Sequence, residues 1–183
     1  MKVEVTLRRI ADLSRDGWWS GDLHVHRPIE DIPLLMQAED LHAAPVITWW
    51  NNRNSWAGKE PPADPLRLTA DGRAFHVLAG EDEREGGALL YFGLRAPLPI
   101  AGAGREHPSP VTFLLQARAQ EGAHVDIEKP FWWDVPVWLA TARVDTIGLA
   151  NNHMCRRSMY ANEAWGRPRD AARLPAPRGN GFW

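Results

Sequence analysis

The chain has 183 residues, a formal net charge of −2 and a single cysteine, Cys155. That length builds one sizeable core. The near-neutral balance leaves no electrostatic footprint for nucleic acid or an anionic membrane, and one thiol excludes an intramolecular disulfide or a cysteine-rich zinc site. No apolar run approaches membrane-spanning length, and Met-Lys-Val-Glu-Val-Thr-Leu-Arg-Arg is not a signal peptide, so a soluble, cytoplasmic protein is expected. Ten tryptophans are many for this length, and six of them form pairs at 18–19, 49–50 and 132–133.

Residues 3–10 alternate apolar and polar side chains, as a first strand or the end of a preceding domain would. Trp18–His26 then alternates toward a His-x-His pair. In an extended strand His24 and His26 share one face, about 6–7 Å apart, with Asp22 on the same face and Leu23 and Val25 on the other. Two imidazoles at that separation can converge on one metal ion. They stand at a strand end, where Arg27-Pro28 leaves the sheet, and strand ends leading into loops carry the sites of α/β proteins. Asp31 reads as an N-cap with Pro33 in the first turn of a helix over 32–43, its stripe being Leu34, Leu35, Ala38 and Leu41. Pro45–Trp50 is a short buried strand, which completes a βαβ unit. Residues 51–72 form a long polar loop of the kind that often covers a site.

Ala74–Gly80 is the next strand, ending in Gly80-Glu81-Asp82-Glu83-Arg84-Glu85-Gly86-Gly87. Five charges in a row suggest a solvated turn, with Glu81 alone belonging to a site. Ala88–Leu94 is almost wholly apolar, as in a strand covered on both faces. Ser109-Pro110 opens a helix over 110–120 with Val111, Leu114, Leu115 and Arg118 in step. His124-Val125-Asp126-Ile127-Glu128 puts three ionisable groups on one face. Burying them without partners is very costly, so that face must meet water, a salt-bridge network or a metal-lined cavity. Asp134 and Pro136 start a short helix, Val144–Ala150 forms a last strand, and from Gly166 periodicity is lost. About six strands and three helices make an α/β layered sheet or partial barrel. The chain divides into an N-terminal strand or extension (1–17), an α/β domain (18–165) and an irregular tail rich in Pro, Arg and Gly (166–183).

Trp-Ser-Gly-Asp-Leu-His-Val-His at 18/19–26, followed by an A-x-x-L helix and Val-Ile-Thr, resembles the PHP (polymerase and histidinol phosphatase) superfamily. Within it the motif is most similar to the carbaryl-hydrolase (CehA/McbA-type) branch. Gly80-Glu81 and Val144-Asp145-Thr146-Ile147 with Asn151 are weaker matches, and the resemblance covers roughly residues 18–153. It implies a distorted seven-stranded (β/α) barrel with metals at the carboxyl ends of the strands, and hydrolysis of phosphate esters, carbamates or esters. His24, His26 and Glu81 carry over as metal ligands. Other ligand positions of the family are here Trp49-Trp50, Leu90, Lys129 and Gly148, and a closing Asp-x-His would fall beyond Trp183. The barrel is therefore expected to be partial, with an apolar edge open to self-association.

On this reading the chain is a metal-dependent hydrolase of a small molecule, with one divalent ion (Zn²⁺, Mn²⁺ or Fe²⁺). His24, His26 and Glu81 hold the ion, and Glu128 or His153 stands in by position as a further ligand or orienting group. Asp22, Glu128 and Lys129 serve catalysis, and Trp49, Trp50, Trp132 and Trp133 shape the substrate cleft. The rival reading is a non-catalytic domain of the same fold that binds a sugar or aromatic ligand between tryptophans.

Overall fold

The computed structural model describes residues 3–6, 8–130 and 132–149; His153, Cys155, Asn151 and the tail expected over 166–183 lie outside them. The elements in chain order are α1 (Ile32–Ala38), β1 (Ala43–Trp50), β2 (Arg53–Asn54), β3 (Leu66–Leu68), β4 (Ala74–Arg84), β5 (Gly87–Phe92), α2 (Pro110–Arg118), β6 (His124–Ile127), α3 (Val135–Ala140) and β7 (Thr146–Ile147). The fold is mixed α/β. Its seven strands form one open sheet ordered β2-β1-β4-β5-β6-β7, with β3 pairing beside β4. β1/β4 and β6/β7 are parallel, while β4/β5 and β5/β6 are antiparallel. The sheet is therefore not a closed barrel.

The stretch before α1 is not the regular strand its alternation predicts. It meets β1 only through parallel bridges at Gly21–Ala43 and Val25–Val46, and the Ile47 N–H donates to the Val25 carbonyl at 2.8 Å. Still, bridge, helix and parallel strand reproduce the expected βαβ path. Residues 3–6 and 8–10 form no strand. α1 is shorter than its pattern and presents nearly the opposite face to the sheet from the one predicted. It buries Ile32 and Met36, four apart, against Val25, Ala44, Val46, Phe75 and Val77, leaving Leu34 70% exposed. Pro33 occupies its first turn as expected, but Asp31 makes no side-chain cap.

The larger core continues on this same helix-covered face of the sheet, beyond Trp49 on β1. Leu89, Tyr91, Val125 and Ile127 point there and pack against Phe113, Leu114 and Ala117 of α2 and Trp138 of α3. Each such fully buried apolar side chain contributes about 1.5–3 kcal/mol. Ser109 caps α2 by accepting the Val111 N–H at 3.3 Å. The stripe of this helix is Phe113, Leu114 and Ala117, whereas Leu115 faces solvent.

β4 runs four residues further than its apolar pattern. The charged stretch 81–84 is strand, and it alternates. Asp82 and Arg84 turn to the helix-covered side, where they pair bidentately at 2.7 and 2.8 Å. The Arg84 guanidinium also donates to the carbonyls of Gly104 and Pro108 and lies over the Phe113 ring. Glu81 and Glu83 take the other face. Buried charges survive when paired and hydrogen-bonded, and the chain supplies those partners from far away in sequence.

Candidate metal centre

The cross-strand register builds the site. Trp50 on β1 stands opposite Glu81 on β4, Glu81 opposite Leu90 on β5, Leu90 opposite Asp126 on β6, and Asp126 opposite Thr146 on β7. These residues share one face of the sheet, since directly paired residues point the same way. The segment carrying His24 and His26 lies along the far edge of β1 and brings both imidazoles over Glu81.

The histidines and Glu81 form the one group of three such side chains, among the described residues, whose ligand atoms all lie within 4.8 Å of one another. His24 Nε2 is 3.1 Å from His26 Nε2, and Glu81 Oε2 is 3.1 Å from His26 Nε2 and 3.4 Å from His24 Nε2. Three donors bound tetrahedrally to one ion at about 2.0–2.1 Å stand about 3.3–3.4 Å apart. The triangle is close to that face of a coordination polyhedron. The chemistry of the set also fits: one proton can sit between two facing ring nitrogens, whereas a shared cation satisfies both nitrogens and the carboxylate. Glu81 Oε1 and Glu128 Oε2 are buried and have no hydrogen-bond partner.

Glu128 lies behind His24. Its Oε1 is 3.2 Å from His24 Nδ1, on the opposite side of the ring from the ligand triangle. There it accepts the Nδ1–H, which turns the Nε2 lone pair toward Glu81 and His26. This carboxylate–histidine arrangement sets the tautomer and raises the basicity of metal-ligating imidazoles. The hydrogen bonds to Glu128 and Glu81 raise the His24 pKa to about 10. Burial works to raise the Glu81 carboxyl, but hydrogen bonds from His24 and His26 hold it down at about 2.

The other expected site residues are placed differently. The Asp22 carboxylate accepts the His24 backbone N–H at 3.0 Å, so it shapes the loop and does not reach the imidazoles. Lys129 is almost fully buried; its ammonium pairs with Glu83 and is 3.9 Å from Glu128 Oε2. Trp49 is core and not a cleft wall: it stacks on Tyr91 at 5.7 Å and its indole N–H donates to the Leu78 carbonyl. Strand alternation sends its neighbour Trp50 to the site face, edge-on to His26 at 4.7 Å. Trp132 is buried in the helix-side core, and Trp133 is 44% exposed. The pair Trp18-Trp19 lines a separate hollow of about 410 Å³ with Asp40 and His42, at the other end of β1. His153, expected as a further ligand, lies outside the described residues.

Two groups escaped the sequence reading. Trp56, from the 51–72 loop, donates its indole N–H to Thr48 Oγ1 at 2.8 Å and closes a cavity of about 480 Å³ beside His26. The depth of that loop and its single aromatic residue were the available signals. Thr146 answers the ionisable face of β6: its hydroxyl donates to Asp126 at 2.5 Å and lies 2.9 Å from His124 Nε2. With Glu128 on His24, every ionisable group of that face has a partner.

In comparisons with known proteins, no family model, no curated protein and no solved structure matches the chain. Among the described residues no helix is long and apolar enough to cross a membrane.

Proposed function

We propose that this chain is a metal-dependent hydrolase of the PHP superfamily that cleaves an ester, carbamate or phosphoester bond in a small molecule. The observation that carries this reading is the ligand triangle of His24, His26 and Glu81 with Glu128 behind it. The His-x-His motif and its resemblance to the carbaryl-hydrolase branch support it.

His24, His26 and Glu81 would hold one divalent ion, Zn²⁺, Mn²⁺ or Fe²⁺. Such an ion acidifies a water and polarises the carbonyl or phosphoryl oxygen under attack. The chain does the rest. Glu128 keeps the His24 proton on Nδ1. Lys129, held between Glu83 and Glu128, offsets the negative charge of these two carboxylates and of Glu81. Leu90, directly opposite Glu81, and Trp50, against His26, fill positions where a second ion would need ligands, so a single ion is expected. His26 also lines the cavity closed by Trp56, where a substrate can approach.

The rival reading, a binding domain without catalysis, is favoured by those same apolar substitutions and by the tryptophans of that cavity. Elemental analysis of wild type, His24→Ala and His26→Ala, paired with hydrolysis of an activated aryl ester, decides between them. The expected result is close to one ion per chain and measurable hydrolysis, with both lost in either variant. Two or more tightly held ions would overturn the single-ion site. No ion in a folded sample would overturn the hydrolase reading in favour of the binding domain.

A further inference from the structure

We propose that the cavity beside His26 is a specificity pocket for an aromatic ring that carries a negative charge, so that the preferred substrate is an aryl ester or carbamate with an anionic ring substituent. The proposal rests on the hydrolase reading for the bond that is cleaved, but the pocket itself stands on its own residues.

At about 480 Å³ the cavity falls within the range of about 300–1,000 Å³ typical of small-molecule sites. Two of its walls are indoles held in place. Trp56 is fixed at both ends, its side-chain N–H on Thr48 Oγ1 at 2.8 Å and its backbone N–H on Asn54 Oδ1 at 2.8 Å. Thr48 is itself anchored by donating to the Val77 carbonyl at 2.9 Å. Trp50 is held by the His26 ring at 4.7 Å and by the Arg53 guanidinium over its own ring at 5.4 Å. Preset aromatic surfaces lose little freedom on binding, so they favour a flat ring over a flexible chain.

The charge at the rim adds the second part. Arg27 and Lys59 line the cavity from two different segments, and Glu30 is the one carboxylate among the lining residues. Among the described residues neither cation has a carboxylate within ion-pair distance, so the charge of both is available to a bound group. Two uncommitted cations against one carboxylate give the pocket a positive balance, which an anionic substituent complements. His26 belongs both to the lining and to the ligand triangle, so a ring seated beside the indoles can bring its ester or carbamate group toward the ion-binding atoms and its charged substituent toward Arg27 and Lys59.

The test uses 2-naphthoate and 2-naphthamide, which share a ring and differ in charge, titrated calorimetrically into the full chain. Prior chelator treatment denies the carboxylate an ion to coordinate. Naphthoate is expected to bind about tenfold more tightly than the amide, the scale of two partly exposed charge pairs. The double variant Arg27→Gln/Lys59→Gln, with both changes on exposed side chains, is expected to bring naphthoate to the amide's affinity and leave the amide unchanged. Equal binding of the two probes, binding of neither, or a preference for naphthoate that survives the double variant would each overturn the pocket. If the expected pattern appears in a protein that holds no ion, the pocket stands and the hydrolase reading alone fails.

Discussion

Removing Glu128 separates a metal ligand from a residue that positions one. Its Oε1 faces His24 Nδ1 at 3.2 Å, away from the three ligand atoms, and its Oε2 is 3.9 Å from the Lys129 ammonium. Loss of such an outer partner typically costs about 10–100-fold in metal affinity, or about 1.4–2.7 kcal/mol. The two available variants should divide that range. Glu128→Gln keeps an oxygen that accepts the Nδ1–H and loses only the charge, so the expected loss is near tenfold. Glu128→Ala leaves the imidazole free to turn and to take the other tautomer, and the loss should approach a hundredfold. His26→Ala, which deletes a ligand, should lose more than either. Zinc affinity measured by competition with a chromophoric chelator at fixed pH reads all three. Glu128→Ala binding zinc within twofold of wild type would refute the positioning role. Glu128→Gln falling as far as His26→Ala would make Glu128 a direct ligand, contrary to the geometry.

Gly80→Ala should destabilise the fold, because the new Cβ would fall within the Trp49 indole. Forcing extra volume into a packed core costs about 1–3 kcal/mol, and the shift is expected in a urea unfolding midpoint; an unchanged midpoint would contradict the close approach of the two residues. His76 supplies a pH test remote from the metal cluster. Burial lowers its pKa below the ordinary value, and its Nδ1 accepts the Leu78 N–H at 3.3 Å, which needs the neutral ring. A folded-state pKa below the unfolded one gives stability that is complete above the unfolded value of 6.5 and is lost as pH falls. The difference in unfolding free energy between wild type and His76→Gln is therefore expected to shift against wild type from pH 7.5 to pH 5.5, and a difference that does not change over that interval would contradict the assignment.

Much of the path was legible along the chain. The His-x-His alternation, the prolines in the first turns of α1 and α2, the Ser109 cap and the apolar runs of β1 and β5 depend on neighbours a few residues away, and such local rules locate elements well. The candidate ligands His24, His26 and Glu81 were legible for the same reason, as polar groups at the ends of apolar runs. Tertiary structure decided the rest. Whether 81–84 is a solvated turn or a buried strand depends on whether distant partners reach each charge. His24 and Glu128 are 104 residues apart, and Lys129 meets Glu83 from 46 residues away. Trp49 and Trp50 look alike in sequence, yet the register of β1 on β4 sets one over Gly80 in the core and the other beside His26. The stretch from Gly21 to Val25 keeps a strand's periodicity but has only two bridges to β1, because Asp22 folds its carboxylate back onto the His24 amide. Periodicity reports which face a side chain prefers. Which groups meet on that face is settled by pairing between segments far apart in the chain, and no local pattern records it.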